Sequence, residues 1–408
     1  MFKRPINQKN RTSARSHSRK GNFFYPPKFL PQKKTKQASD TISNIKPTKL
    51  SLNTRRKFKR VYTEKESFLR LKDGSIWPGT PVGAFSSIAG EVVFTTGMVG
   101  YVESLTDPSF AGQILVFTFP LLGNYGVPPP SRWESRRIQV RGAVFSHLAQ
   151  NSSHWEGKKP LSAWFKEEGI PALAGVDTRA LTQRIRQYGC TPGVIACQGN
   201  APEFEDPNIE NLVANVSPLR VTEIGKGKKR VVLVDCGAKE NIVRSLVSRG
   251  IRVIRVPYDY DYTRLRTDGI VISNGPGDPA RCVATIAILK KAYRMRRPIF
   301  GICLGSQLMG LAAGASTYKL PYGHRGQNQP CRIEGTDRCV LTSQNHGYAV
   351  RESTLPRDWR VTYRNANDVS VEGIAHKKLS FFSVQFHPEA HPGPNDTNYL
   401  FDEFVSLL

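Results

Sequence analysis

Pro298-Ile-Phe-Gly-Ile-Cys-Leu-Gly-Ser-Gln-Leu308 reads as a buried strand (Ile299, Phe300, Ile302), a sharp turn bracketed by Gly301 and Gly305, and a helix from about Ser306. Cys303 falls at the turn. A thiol there faces the N-terminal end of the new helix, whose free N–H groups and dipole favour the thiolate over the thiol. Glycines on both sides allow a strained bend and the close approach of a substrate. The pattern is a nucleophile elbow with cysteine in the serine position; the alternative is a small hydrophobe at a strand end. Working outward, Val231-Val-Leu-Val-Asp235, Ile251-Arg-Val-Ile-Arg-Val256 and Gly269-Ile-Val-Ile-Ser273 are apolar strands. Helices fill the gaps over about Lys239–Arg249 and Ala280–Arg294. Apolar strands spaced by helices predict an α/β domain with a parallel sheet covered on both faces, whose ligand sits beyond the strand C-terminal ends.

A cysteine nucleophile needs a base, and the base needs an orienting group. Phe381-Phe-Ser-Val-Gln-Phe-His-Pro-Glu389 reads as an apolar strand ending in His387-Pro388-Glu389, with Pro388 stopping the pairing. Residues two apart on an extended segment share a side, so Glu389 can hold the His387 ring in one tautomer. Ser273-Asn-Gly-Pro-Gly-Asp-Pro279 is either a tight turn or a set of backbone N–H groups facing the thiolate, alongside the N–H of Leu304. Residues 322–330 and Gln344-Asn-His-Gly-Tyr348 read as polar, glycine-rich loops.

Gly301-Ile-Cys-Leu-Gly-Ser-Gln307 with His387-Pro-Glu389 resembles the signature of class I, triad-type glutamine amidotransferases, which hydrolyse glutamine with Cys, His and Glu. The Asn-Gly-Pro-Gly-Asp-Pro run before the elbow fits the same family. Two departures are visible. Ser306 stands where that family usually carries His or Tyr, and its hydroxyl is expected to cap the helix. Gln329 stands where His is common.

The chain between Val61 and Arg220 reads as an α+β domain with several short strands and no catalytic constellation of its own. Phe68-Leu-Arg-Leu-Lys-Asp-Gly-Ser-Ile-Trp77 turns at Asp73-Gly74 as a hairpin. Glu91-Val-Val-Phe-Thr-Thr-Gly-Met-Val-Gly-Tyr101, Leu105-Thr-Asp-Pro-Ser109, Gly123-Asn-Tyr-Gly126 and Gly175-Val-Asp-Thr-Arg-Ala-Leu181 resemble the N-terminal domain of the small subunit of glutamine-hydrolysing carbamoyl-phosphate synthetase. The resemblance implies a triad of Cys303, His387 and Glu389, and a glutamine site of Ser109, Gly275, Gly277, Leu304, Gln307, Asn345, Gly347 and Tyr348. Ser109 would bring the N-terminal domain into the pocket. It also implies a partner, the large synthetase subunit, which takes ammonia and makes carbamoyl phosphate from bicarbonate and ATP for arginine and pyrimidine synthesis. No stretch resembles an ATP site, so ATP and magnesium are expected on that subunit, with no metal or cofactor in this chain.

Residues 201–219 read as acidic and helical, and Gly225-Lys-Gly-Lys-Lys-Arg230 as a solvated linker lacking phosphate-loop spacing. The domains are thus a leader, 1–60, an N-terminal domain, 61–220, a linker, 221–230, and the amidotransferase domain, 231–408. The net charge of +26 is uneven: residues 1–60 hold 18 Lys/Arg and one acid, the remainder 41 Lys/Arg and 32 acids. Basic, hydroxyl-rich and nearly acid-free, the leader is expected to be disordered and fits an organelle transit peptide, with an RNA-binding arm or an extension without a role as alternatives. The expected compartment is the chloroplast stroma, with the mitochondrion second. Seven cysteines, odd in number and without paired CxxC spacing, argue against a zinc site or a disulfide framework and for a reducing compartment. No apolar run approaches membrane-spanning length, and neither nucleic acid nor membrane is expected as a partner. Rival functions are the amidotransferase component of another synthase, such as anthranilate or GMP synthesis, a free-standing Cys-His-Glu hydrolase, and a non-enzymatic RNA-binding protein.

Overall fold

The computed structural model describes residues 67–198 and 201–408. The basic leader, and with it the transit-peptide expectation, lies outside the described residues.

The first half closes into a barrel. Its strands run in the order Ser67–Leu71, Ile76–Pro81, Ala172–Ala174, Gly142–Val144, Gln113–Phe117, Ile88–Thr95 and Thr191–Ala196, which pairs back to the first. The hairpin at Asp73-Gly74 is present, with Arg70 opposite Ile76. Side chains alternate across each strand. Val92, Phe94, Ile114 and Val116 therefore join one apolar cluster, while Val93, Leu115 and Phe117 join another under the helix Leu161–Glu167. Gln113–Phe117 and Gly142–Val144 are buried on both faces and Ile88–Thr95 nearly so, which leaves no apolar–polar alternation there to mark closure in the sequence.

The second half is one ten-stranded sheet. Its centre is parallel, in the order Arg252–Pro257, Arg230–Asp235, Gly269–Ile272, Ile299–Ile302 and Phe381–Val384. The same two-residue period feeds two cores: Val232, Val234, Ile270 and Ile272 point to one face, Val231, Leu233 and Val271 to the other. The expected parallel core is there, and four antiparallel strands extend it: Val371–His376, Trp359–Asn365, Thr317–Ile333 and Cys339–Val350.

Four expectations need correction. The stretches 322–330 and 344–348 are not loops; they lie inside the paired strands Thr317–Ile333 and Cys339–Val350. Their glycines and polar residues are absorbed by register shifts between Lys319/His324 and Gly326/Gln329. Residues 201–219 hold only a 3-10 turn, Pro207–Ile209, and one helical turn, Val213–Val216, because Pro202, Pro207 and Pro218 interrupt any longer helix. Residues 221–230 are not a free linker: Thr222–Ile224 is an antiparallel edge strand, and a Cβ on Gly227 would meet the Gly250 carbonyl oxygen at 1.6 Å. Finally, the last parallel strand stops at Val384, three residues before His387.

The two halves share a seam. Thr96 N–H donates to the Arg325 carbonyl at 3.1 Å, and Gln327 Nε2 to the Val99 carbonyl at 2.6 Å. Buried Glu134 of the first half takes the Asn241 N–H at 3.1 Å, pairs with Arg244, and has His391 Nδ1 2.7 Å away. A buried carboxylate held by the Asn241 N–H and the Arg244 guanidinium is too well satisfied to leave the seam easily.

Candidate active site

Cys303 sits between the elbow strand Ile299–Ile302 and the helix Leu304–Ala313, in a conformation rare for a residue with a side chain (φ 54°, ψ −105°). Gly305 makes the bend possible: a Cβ there would lie 2.2 Å from the Ile272 carbonyl oxygen. Such strain persists only where surrounding structure enforces it, and here it lifts the thiol to the sheet's C-terminal edge. The helix starts two residues earlier than expected. Ser306 is therefore inside its first turn, and its buried hydroxyl pairs with Ser383 Oγ at 2.8 Å instead of capping.

His387 is 2% exposed, and its backbone N–H is held by the Ser343 carbonyl at 2.9 Å. Its Nδ1 lies 2.6 Å from Glu389 Oε1, so Nδ1 carries the donated proton and Nε2 is the ring atom left to act. Nε2 has no partner in hydrogen-bond geometry among the described residues. Burial opposes charge on His387, but Glu389 and Cys303 outweigh it and raise its pKa to about 10. Burial likewise opposes charge on Glu389, but Lys239 and His387 hold its pKa at about 2. The Cys303 Sγ points to the Asn345 carbonyl at 3.5 Å and takes a weak contact from Gln385 Nε2 at 3.7 Å.

Beside Cys303 opens a narrow cleft. The predicted glutamine residues Ser109, Gly275, Gly277, Leu304, Gln307, Asn345, Gly347 and Tyr348 all line it. Gly275 must lack a side chain, because a Cβ would strike the Cys236 carbonyl at 2.1 Å and the Leu304 side chain at 2.7 Å. Leu304 N–H, at the first helical position, has no acceptor within its own helix. Gln307 Nε2 donates to the Tyr348 carbonyl at 2.9 Å, tying the elbow helix to the strand that carries Asn345 and Gly347.

Sequence reading missed several participants. Asp107 is the hub: its carboxylate accepts from Asn345 Nδ2 (2.8 Å), Asn274 Nδ2 (3.3 Å) and the Ser109 N–H (2.9 Å). Its signal was present in Leu105-Thr-Asp-Pro-Ser109, without a role attached. Lys239 is buried against Glu389 from the start of the helix Glu240–Ser248, and no local pattern announces it. Glu91, paired to Lys319 at 2.6 Å, and Arg325 bring charge to the same cleft.

Residues 69–195 match the family described as carbamoyl-phosphate synthase small chain, CPSase domain, and residues 232–407 match glutamine amidotransferase class-I. The carbamoyl phosphate synthase arginine-specific small chain of Aspergillus oryzae is 47% identical over 375 residues, covering 86% of this chain and 81% of that one. The chain belongs to the carbamoyl-phosphate synthase small-chain family. The multifunctional protein CAD of Squalus acanthias is 50% identical over 352 residues, 83% of this chain; the chain spans only 16% of that protein's length. Among solved structures, a glutamine amidotransferase from Thermotoga maritima aligns at 18% identity and a TM-score of 0.32, over 40% of this chain and 77% of that one. The two matches fall on the two halves of the structure, the first on the barrel and the second on the ten-stranded sheet.

Proposed function

We propose that this chain is the glutaminase component of a carbamoyl-phosphate synthase, feeding ammonia to a large synthetase subunit. The observation that carries the reading is the junction of an elbow cysteine, a carboxylate-anchored histidine and a cleft lined by residues of both halves. His387 takes, or already holds, the Cys303 proton, and Sγ attacks the side-chain amide carbon of glutamine. The N–H groups of Leu304 and the Gly275–Gly277 loop receive the oxyanion. His387 then gives its proton to the departing ammonia, leaving a thioester on Cys303. Water, activated by the same imidazole, hydrolyses the thioester to glutamate and restores the thiol.

Ser109, Asn345, Gly347 and Tyr348 offer hydroxyl and backbone partners to the amino-acid head, and the Tyr348 ring covers the aliphatic stem. A second cavity, lined by Lys239, Ser343, Gln344 and His387 together with Asp107 of the barrel half, gives the ammonia a polar chamber on leaving. The large subunit would bind ATP, magnesium and bicarbonate, and the carbamoyl phosphate would serve arginine and pyrimidine synthesis.

The test is glutamate release from glutamine by the purified full chain, alone and with a large synthetase subunit, beside Cys303→Ser. Activity that rises with the partner and disappears in the variant is the expected result. Retained activity in Cys303→Ser would remove the nucleophile assignment. A rate unmoved by any large subunit would make the chain a free-standing glutaminase.

A further inference from the structure

Three strands of the antiparallel extension converge on a second constellation. His324 comes from Thr317–Ile333, His346 from Cys339–Val350 and Glu372 from Val371–His376. Their side chains are 9%, 1% and 0% exposed. His324 Nδ1 lies 3.2 Å from His346 Nε2 and 3.2 Å from Glu372 Oε1, and the last two atoms are 3.7 Å apart.

The outward nitrogen of each ring faces an acceptor. His324 Nε2 lies 2.9 Å from Asp368 Oδ2, and His346 Nδ1 lies 2.9 Å from the Tyr348 carbonyl. Both outward nitrogens must therefore carry N–H, so in the neutral rings both inward nitrogens present lone pairs. Gln344 adds a third acceptor: its Nε2 is fixed by Cys331 Sγ and Thr342 Oγ1, which turns Oε1 towards His346 Nε2 at 3.3 Å. Glu372 supplies the fourth. Against these acceptors stands Asn365 Nδ2, 3.3 Å from Glu372 Oε1, and Glu372 Oε2 is buried with no partner among the described residues. Lone pairs gathered out of water repel one another unless a cation sits among them.

We propose that His324, His346 and Glu372 bind a divalent first-row transition cation, with zinc the best fit. A tetrahedral zinc with bonds of about 2.0–2.1 Å holds its ligands about 3.3 Å apart, close to the three separations here. The Asp368–His324 and Tyr348–His346 contacts are the outer partners that such histidines use to fix ring orientation and basicity. The fourth position goes to water or to Gln344 Oε1. The cation would pin three strands at the back of the residues that present Asn345, Gly347 and Tyr348 to the cleft, stiffening the pocket wall. The inference does not rest on the glutaminase reading.

The test uses the full chain carrying Cys303→Ser, which removes the thiol that would compete for zinc beside His387. After chelator treatment, this protein is titrated with zinc against a chromogenic zinc chelator, and with cobalt while visible absorption is recorded. One equivalent should bind, cobalt should give the strong band of a four-coordinate nitrogen/oxygen site, and adding Glu372→Gln or His324→Asn should weaken zinc at least tenfold. Unchanged zinc affinity in both added variants, or none in the Cys303→Ser protein, overturns the proposal and leaves a proton-bridged cluster. If the added variants fail to fold, the cobalt spectrum decides: a sulfur-to-metal charge-transfer band would place the cation on cysteine and sink the site.

Discussion

One oxygen of Glu389 serves two cations' worth of neighbours: Oε1 lies 2.6 Å from His387 Nδ1 and 3.2 Å from Lys239 Nζ, and all three side chains are buried. Glu389 Oε2 has no hydrogen-bond partner among the described residues. Lys239 also donates to the Ala390 carbonyl, which fixes the ammonium from below. The imidazole is thus oriented by a carboxylate that is itself held in place.

Lys239→Met should leave that carboxylate buried with one partner, at a cost of about 3–5 kcal/mol. Denaturant unfolding of the two proteins measures the difference. A variant as stable as the parent would mean that Glu389 is not relying on the ammonium.

The pair also sets a pH window. Glu389 is held at about 2 in the fold against an ordinary 4.5, so its stabilisation is present above 4.5 and is lost as pH falls towards 2. His387 is raised to about 10 against an ordinary 6.5, so its stabilisation is complete below 6.5 and is lost as pH rises through 10. The stability gap between the parent and Glu389→Gln should therefore be widest between about pH 4.5 and 6.5 and narrow on both sides. Unfolding midpoints across the pH range test this, and a flat gap refutes it.

Gly305→Ala should displace the elbow. Its new Cβ would sit 2.2 Å from the Ile272 carbonyl, a backbone atom that cannot swing aside. The expected cost is about 1–3 kcal/mol, with glutaminase activity down about a hundredfold because the nucleophile shifts by roughly an ångström. Alkylation of Cys303 by iodoacetamide should slow in parallel; an unchanged alkylation rate would show the elbow intact.

Asp107→Asn should act on binding. The substitution keeps the shape but weakens three hydrogen bonds that align Ser109, Asn274 and Asn345. Loss of about 1.5 kcal/mol of charge-assisted bonding corresponds to a KM for glutamine about tenfold higher. Steady-state kinetics with kcat resolved from KM give the answer, and a fall in kcat alone would move Asp107 from the pocket to the chemistry.

Fold class was legible in the amidotransferase half: apolar strands spaced by helices read as a parallel sheet, and the sheet has that parallel core. The elbow at Cys303 and the His387–Glu389 pair were legible because a glycine-bracketed turn, a proline and a two-residue spacing are local patterns; the structure has Cys303 at a strand-to-helix turn and His387 Nδ1 2.6 Å from Glu389 Oε1. The cleft residues were legible through motif resemblance, and each one lines the same cavity. Barrel closure was not, because strands such as Ile88–Thr95 and Gln113–Phe117 are buried on both faces and lose the alternation that would mark them. The stretches around His324 and His346 resemble loops in sequence because their glycines and polar residues imitate turn chemistry, while the structure holds both inside paired strands. Lys239, Asp107 and Glu134 act across separations of more than a hundred residues, beyond the reach of any local pattern.

The seam that ties Thr96 to Arg325, and Glu134 to Asn241 and Arg244, has a meaning for assembly in time. Synthesis makes the barrel first, so Ser109 and Asp107 can be in position before the elbow exists. A sheet folded without the barrel would hold a primed cysteine beside an unfinished cleft, blind to the head of its substrate. A chain cut between the halves would keep Cys303 on its sheet but lose Ser109 from the cleft and Asp107 from Asn345, so the wall of the cleft is completed only when both halves are joined.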